Sequence, residues 1–489
     1  MTARVLRFFR RVLVLLVVAV MAVMAVRVWS SQRGPPLDPW HTYVPPDLHA
    51  AEIDVADWAS YLEHEDEIFH DVRREVVDKI GESARVPGNR YFAGSPIYPG
   101  NFKQDFNRSY SLEPDGPPVG AVVLLHGLTD SPYSLRHIAR RYRDKGFVAI
   151  AIRLPGHGTV PAALTDVEWE DWDAATRLAV REARRRVGPD KPLHIVGFSN
   201  GGTLAMKYTL DALEDDRLAR PDRVILISPM IGITSFARFA GLAALPALLP
   251  AFAKAAWLGI VPEFNPFKYN SFPVNGARQS HRATVALQDR IARAAREGRL
   301  ANLPPILTFQ SVVDFTVSTP AVISRLYARL PANGSELVLF DINRAAAVSP
   351  LLRNAAETAL SRILPAPPRN YRTAVITNEA PDTYKVLERT VEAGATSEQT
   401  RALGLAFPPG IFSLSHVALP FPMSDSLYGM KPDPSEDFGI HLGAIAPRGE
   451  RGVLIVNLDT LLRTSSNPFF PYVQERIDQV IASAPRDKP

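Results

Sequence analysis

An α/β architecture, a mostly parallel sheet with helices on both faces, is what the sequence predicts, and three observations predict it. Short unbroken runs of Val, Ile and Leu recur between residues 121 and 340. Amphipathic stretches of helix length separate the early ones. A Gly-x-Ser-x-Gly string lies directly after one run and directly before a helical pattern. Runs without polar alternation belong to strands buried on both faces, and the intervening helices supply the cover.

Composition excludes several classes. The 489 residues suffice for one large decorated domain or roughly three units. Hydrophobic content of 46% with 22% charged residues, and a mean hydropathy of -0.04, fit neither a disordered chain nor a polytopic membrane protein. Residues 1 to 33 hold six of the 55 Lys+Arg and none of the 51 Asp+Glu, leaving 49 basic against 51 acidic residues elsewhere. The basic charge is therefore terminal, and a nucleic-acid footprint on the folded part is not expected. Cysteine is absent, which removes disulfides, thiolate catalysis and Cys-ligated metals.

Taken in order, Arg4, Arg7, Arg10 and Arg11 precede fifteen uninterrupted apolar residues, Val12 to Val26. A positive segment followed by an apolar one is an export signal. Residues 1–33 are read as an uncleaved membrane anchor, with Phe8, Phe9, Arg11, Arg27 and Trp29 extending a run of only about 22 Å. The positive-inside rule then places the bulk of the chain outside the cytoplasm. Cleavage near Ala22 or Ala25 would make it secreted instead. Residues 34–54, with five prolines in the first thirteen, read as an extended linker. Residues 55–118 hold an amphipathic helix (Trp58, Leu62, Ile68, Phe69, Val72, Val76) and a lead-in strand.

The first half of the core, 119–229, contains the runs 121–127, 147–154, 193–199 and 223–229. Thr165 with Glu168 is expected to cap a helix whose Trp169 and Trp172 face the core and whose Arg184 to Arg186 suit its C-terminal end. Residues 230–304 read as a cap insertion, with an apolar tract from Phe236 to Val261 followed by a polar helix near Arg290 to Arg299; a second membrane contact competes for that tract. The core resumes at 305–341 with runs 305–311 and 336–340. A late insertion is expected at 342–411, and 412–489 should carry a histidine loop, a strand at 452–459 and a terminal helix.

The chemistry centres on Gly197-Phe198-Ser199-Asn200-Gly201. Strand, turn and helix in that order make it a nucleophile elbow. A serine needs a base, and the base an orienting acid. This architecture places both after the serine, and only His281, His416 and His441 follow Ser199. His281 falls in the expected cap, before the run at 305–311, whereas Asp314 follows that run. The assignment is Ser199, Asp314 and His416, with His441 as the alternative histidine. His416 Nε2 should reach Ser199 Oγ, and Nδ1 should face Asp314. The oxyanion donors are the N–H groups of Leu128 and Asn200. His126 is read as organising the Leu128 loop, and Arg153 to Gly158 as a structural turn in preference to a substrate contact.

The segments HGLTDSP (126–132), LPGHG (154–158) and GFSNG (197–201), with Asp314, resemble the α/β-hydrolase superfamily, nearest its monoacylglycerol lipase, carboxylesterase and serine aminopeptidase-like branch, over about residues 119 to 340. The resemblance implies a Ser-His-Asp triad, an acyl-enzyme, a cap between the sixth and seventh strands, and no cofactor. One departure stands out: those relatives carry their histidine soon after the last core strand, whereas 341–348 has none and about 75 residues intervene before His416. The expected activity is a serine hydrolase of carboxylic esters acting on small-molecule or lipid-like substrates, with no metal and no nucleic-acid partner. A serine peptidase, or a membrane-tethered binding protein on a hydrolase scaffold, are the competing readings.

Overall fold

The protein is described from a computed structural model that covers residues 2–232, 245–345, 359–445 and 463–483. Helix α1 (Thr2–Gln32) spans 31 residues. Among the described residues it alone is long and apolar enough to cross a membrane, with a mean hydropathy of 2.7 over its apolar window. Its far end is docked. Arg27 donates to the carbonyls of Ala255 and Trp257, Gln32 Nε2 to Ala251 O at 3.0 Å, and Lys254 Nζ to Gly34 O at 2.9 Å.

The segment expected as an extended linker folds onto the body instead. It forms two short helices, α2 (Pro39–Thr42) and α3 (Ala50–Val55). Proline at the first helical position lacks only an N–H that would have had no partner, and Trp40, stacked on Tyr91 with centroids 5.2 Å apart, supplies apolar surface that an extended spacer would leave wet. Helix α4 (Trp58–Val72) follows; Asp57 caps it by accepting the Ser60 N–H at 2.8 Å.

The main sheet is built in the next stretch: β1 (Tyr110–Leu112), β2 (Gly120–Leu125), α5 (Arg136–Asp144), β3 (Phe147–Ile152), α6 (Trp169–Val187), β4 (Leu193–Phe198), α7 (Asn200–Asp211) and β5 (Arg223–Ile227). A short hairpin, β6 (Trp257–Gly259) with β7 (Phe272–Pro273), and the long helix α8 (Val274–Arg296) form the described part of the segment between β5 and β8, the stretch expected as a cap. Then come β8 (Ile306–Ser311), β9 (Glu336–Phe340), β10 (Arg372–Asn378), β11 (Lys385–Val391), β12 (Gln399–Ala406) and the helix α9 (Phe470–Ala482). The ten-stranded order is β1-β3-β2-β4-β5-β8-β9-β10-β11-β12. Every pairing from β3 through β10 is parallel, and β1, β11 and β12 add antiparallel edges.

Two expectations change here. The stretch 342–411 does not break the core; it widens the sheet, because β10 is buried and pairs in parallel with β9, Arg372 opposite Glu336. Helix α6 is capped by Glu168 with Asp171 as its reciprocal partner, while Thr165 Oγ1 donates to Ala162 O at 2.6 Å in the preceding turn. The expected strand at 452–459 and the first part of the apolar tract, 236–244, lie outside the described residues.

Successive strand residues feed opposite faces. Val123, Leu125, Ile150 and Ile152 pack with Trp172 and Leu178 of α6 and Leu204 of α7. Val122, Leu124, Ala149 and Ala151 pack with Ile138 and Tyr142 of α5 and with Val473 and Ile477 of α9. Full burial of one such aliphatic side chain contributes about 1.5–3 kcal/mol, so this sandwich fixes where the strand ends point.

Candidate active site

The end of β4 and the start of α7 meet at Ser199, held at φ 54° and ψ -113°. A non-glycine residue there stores about 1–3 kcal/mol of strain. The surroundings impose it. Ser199 N–H donates to Ile227 O at 3.0 Å, and Ser199 O accepts from Gly202 N and Met230 N at 3.0 Å each. Both flanking glycines are needed: a Cβ on Gly197 would lie 2.3 Å from Gly201 O, and one on Gly201 would lie 2.0 Å from Leu125 O. Ser199 remains 8% exposed. Asn200 opens α7, so its N–H belongs to the helix end that has no intrahelical acceptor.

Asp314 lies just past β8 with its side chain buried. One carboxylate oxygen accepts the N–H groups of Thr316 and Val317 at 2.8 and 3.0 Å. The other accepts from Gln310 Nε2 at 3.1 Å and from His416 Nδ1 at 2.9 Å. Burial pushes this carboxyl up, but His416 and the two backbone donors outweigh burial and hold it below the usual aspartate range. His416, buried at the start of a short turn, stacks its ring on Phe198 with centroids 5.3 Å apart. Among the described residues no hydrogen bond joins Ser199 Oγ to the imidazole; such contacts are often long until substrate closes the site.

The other histidines are engaged elsewhere. His441 Nδ1 donates to Ser426 O at 2.8 Å, within its own loop, and His281 sits on α8. His126 Nε2 accepts the Leu154 N–H at 3.0 Å, and its Nδ1 donates to Gly127 O at 2.9 Å, which ties the loop after β2 to the loop after β3. Burial keeps it neutral. In that first loop Leu128 precedes Thr129, which has φ 62° and whose carbonyl accepts the Tyr269 N–H from the segment between β5 and β8 at 2.8 Å. Arg153 to Gly158 is scaffold: Arg153 is buried between Asp47 and Glu65, and a Cβ on Gly158 would lie 2.4 Å from Asn107 O.

A cavity of about 150 Å³ has in its wall Phe198 and Val417, the residues next in sequence to Ser199 and His416. Asp130 and Lys268 also line it, and sequence reasoning assigned neither. Asp130 falls inside the HGLTDSP segment, a signal that was present; Lys268 sits between β5 and β8 with no pattern to mark it. Gln310, which steadies Asp314 and also donates to Thr319 Oγ1 at 3.0 Å, reads in sequence as one more strand residue. Among the described residues no group of His, Asp and Glu is arranged to hold a metal.

Residues 116–342 match the family model described as serine aminopeptidase, S33. A thermostable monoacylglycerol lipase of Bacillus sp. (strain H-257) is 34% identical over 89 residues, 18% of this chain and 34% of that protein. The chain thus spans about a third of the length of the curated relative it matches. Similar solved structures include one from work on two metagenome-derived lipolytic enzymes (21% identity, 53% of this chain and 95% of that one, TM-score 0.39). Another is a soluble variant of monoglyceride lipase from Saccharomyces cerevisiae in complex with a substrate analogue (14% identity, 47% and 81%, TM-score 0.35). With a mostly parallel sheet, a strained serine between β4 and α7, and a family model matching the segment that carries both, the chain has the α/β-hydrolase fold and is similar to that superfamily over residues 116–342.

Proposed function

We propose that the chain is a serine hydrolase of carboxylic esters, with Ser199, His416 and Asp314 as its triad. The observation that carries this reading is the Asp314–His416 pair stacked against Phe198, the residue that precedes the strained serine. Ser199 Oγ attacks the ester carbonyl and His416 Nε2 takes its proton. Asp314 holds the ring through Nδ1 and stabilises the imidazolium. The N–H groups of Leu128 and Asn200 receive the oxyanion. The C–O bond to the alcohol breaks and the alcohol leaves with the proton from His416. Water, deprotonated by the same nitrogen, then adds to the acyl-enzyme and releases the carboxylic acid and free serine.

A fluorophosphonate probe should label the wild type and leave Ser199→Ala untouched, and ester turnover should fall about 10⁵-fold in that variant. Labelling and turnover that survive the substitution would refute the mechanism. The helix α1 supports a second part of the proposal, that the enzyme is membrane-anchored. The full chain should stay with membranes through a high-salt wash and be released by deletion of residues 1–33; recovery of the full chain in the wash would refute the anchor.

A further inference from the structure

The cavity walled by Phe198 and Val417 is small and charged, and both properties bear on what the enzyme accepts. Its volume of about 150 Å³ is the size of an engineered cavity that takes benzene and falls below the roughly 300–1,000 Å³ of typical ligand sites. Phe198, Phe421 and Leu442 supply apolar wall. Lys268 and Arg463 face the same space, with Asp130 as the acidic counterpart.

Lys268 is placed there by construction. The residue before it, Phe267, is stacked on Tyr133 with centroids 4.2 Å apart, and the residue after it, Tyr269, is hydrogen-bonded to Thr129 O at 2.8 Å. The main chain at Lys268 is thereby held against the loop that carries Leu128. Among the described residues its ammonium has no carboxylate within ion-pair distance. Burial lowers its affinity for the proton, Asp130 offsets that in part, and Arg463 adds to it. Burial in turn pushes Asp130 up to about 6, with Lys268 opposing. An ammonium taken partly out of water without a paired anion is costly unless something anionic joins it. With Arg463 alongside, two cations face one acid among the described residues, which is the wrong sign for a substrate amine and the right one for a carboxylate.

We propose that the preferred substrate is a short-chain ester bearing a carboxylate a few bonds from the scissile carbonyl, and that Lys268 fixes this specificity by binding that carboxylate in the cavity walled by Phe198 and Val417. The proposal rests on the Ser199 reading above. The hydrocarbon between ester and carboxylate lies along Phe198, Phe421 and Leu442.

The test compares esters that differ only in charge. On the acyl side, mono-4-nitrophenyl glutarate is set against its methyl ester; on the alcohol side, 4-acetoxybutanoate is set against its methyl ester, followed by acetate release. Wild-type enzyme should favour the carboxylate form of one pair by about tenfold or more in kcat/KM, the scale of one charge-assisted hydrogen bond. The pair that shows it tells which side of the ester occupies the cavity. Lys268→Met should bring that ratio near one, and Lys268→Arg should restore part of it. Because each ratio is taken within one preparation, partial misfolding cancels. Ester turnover with no charge preference in either pair, or a preference unchanged in Lys268→Met, would overturn the inference while leaving the serine mechanism standing. Absence of both turnover and fluorophosphonate labelling would overturn the mechanism and this inference together.

Discussion

Strands β2 to β5 with α5 to α7, and the return segment from Ile411 to Ile445 that brings in His416, are held in place by different balances of apolar and polar contact. The first region is held by aliphatic side chains that are almost wholly buried between its own strands and helices and against α9. In the second, apolar contacts of Leu414, Leu419, Phe421 and Leu427 are joined by polar groups that reach across 68 to 292 residues. Asp425, fully buried, accepts from Arg136 Nη1 at 2.5 Å, His137 Nε2 at 2.9 Å, Tyr133 OH at 3.0 Å and the N–H groups of Leu427 and Tyr428. Ser311 Oγ donates to Leu414 O at 2.9 Å, and Asn343 Nδ2 to Ile411 O at 2.9 Å. Burial pushes the Asp425 carboxyl up, but Arg136 and His137 overcome that and hold it far below the usual range. Apolar packing is non-directional and tolerates small shifts, whereas a buried ion pair has one good geometry and is expensive when broken. A histidine delivered by a long detour therefore depends on directional anchors that the serine, set by the sheet itself, does not need.

The comparison breaks most sharply at the histidine. If the return segment exists to seat His416, then His416→Ala should lower kcat/KM about 10⁴-fold, because members of a triad act as one unit. His441→Ala, whose ring only braces the Ser426 carbonyl, should change it less than about threefold. Steady-state kinetics on both variants decide it, and a large loss in His441→Ala with little in His416→Ala would reverse the assignment.

A smaller effect sharpens the same contrast. Asp425→Asn removes the buried carboxylate beside Arg136, leaving it Glu436 at 3.1 Å, and should cost about 3 kcal/mol. Leu178→Ala, in the core on α6, should cost a similar 2–5 kcal/mol through its cavity. Stability does not separate them, but turnover per active site does. Counted by fluorophosphonate titration, Leu178→Ala should keep kcat within about threefold, whereas Asp425→Asn should lose up to about 100-fold because a displacement near 1 Å in a reacting group has that cost. Equal kcat in the two variants would show that the anchor serves stability alone.

The same division explains what could be read from the sequence. The runs that became β2 to β5, β8 and β9 are unmistakable because strands buried on both faces need no polar alternation. The elbow is legible because sterics leave only glycine at 197 and 201. Nothing local marks the anchors. Asp425 stands in a stretch rich in Ser, Asp and Pro that reads as a surface turn, and Arg136 lies among other arginines on α5. Strands β11 and β12 do not stand out in the sequence because positions such as Lys385, Gln399 and Arg401 stay exposed. The segment 34–54 hides its fold for a related reason: its prolines suggest an extended chain, while the burial of Trp40 and His41 depends on partners such as Tyr91 and Ser271 that are distant in sequence. Long-range polar partners leave no periodicity.

The smallest effect concerns acid. The first region buries histidines as neutral bases: burial takes His157 down to about 4 and His194 down to about 3. A base whose folded value lies below its unfolded value of about 6.5 contributes stability that is complete above 6.5 and lost as pH falls toward the folded value, because only the unfolded chain binds the proton. Between pH 7 and 5 the whole titration belongs to the unfolded state, and His194 alone should remove about 2 kcal/mol. The anchors of the return segment titrate lower. Asp314 and Asp425 are held below the usual aspartate range, so their contribution stays intact until pH falls beneath about 3.9 and is lost only from there downward. Urea unfolding at pH 7 and pH 5 should therefore show a loss that His194→Gln reduces by about 2 kcal/mol and that Asp425→Asn, for all its cost at neutral pH, leaves unchanged in slope. A slope flattened by Asp425→Asn and untouched by His194→Gln would mean that acid sensitivity in this range sits in the return segment, and that the two regions do not divide in the way their contacts indicate.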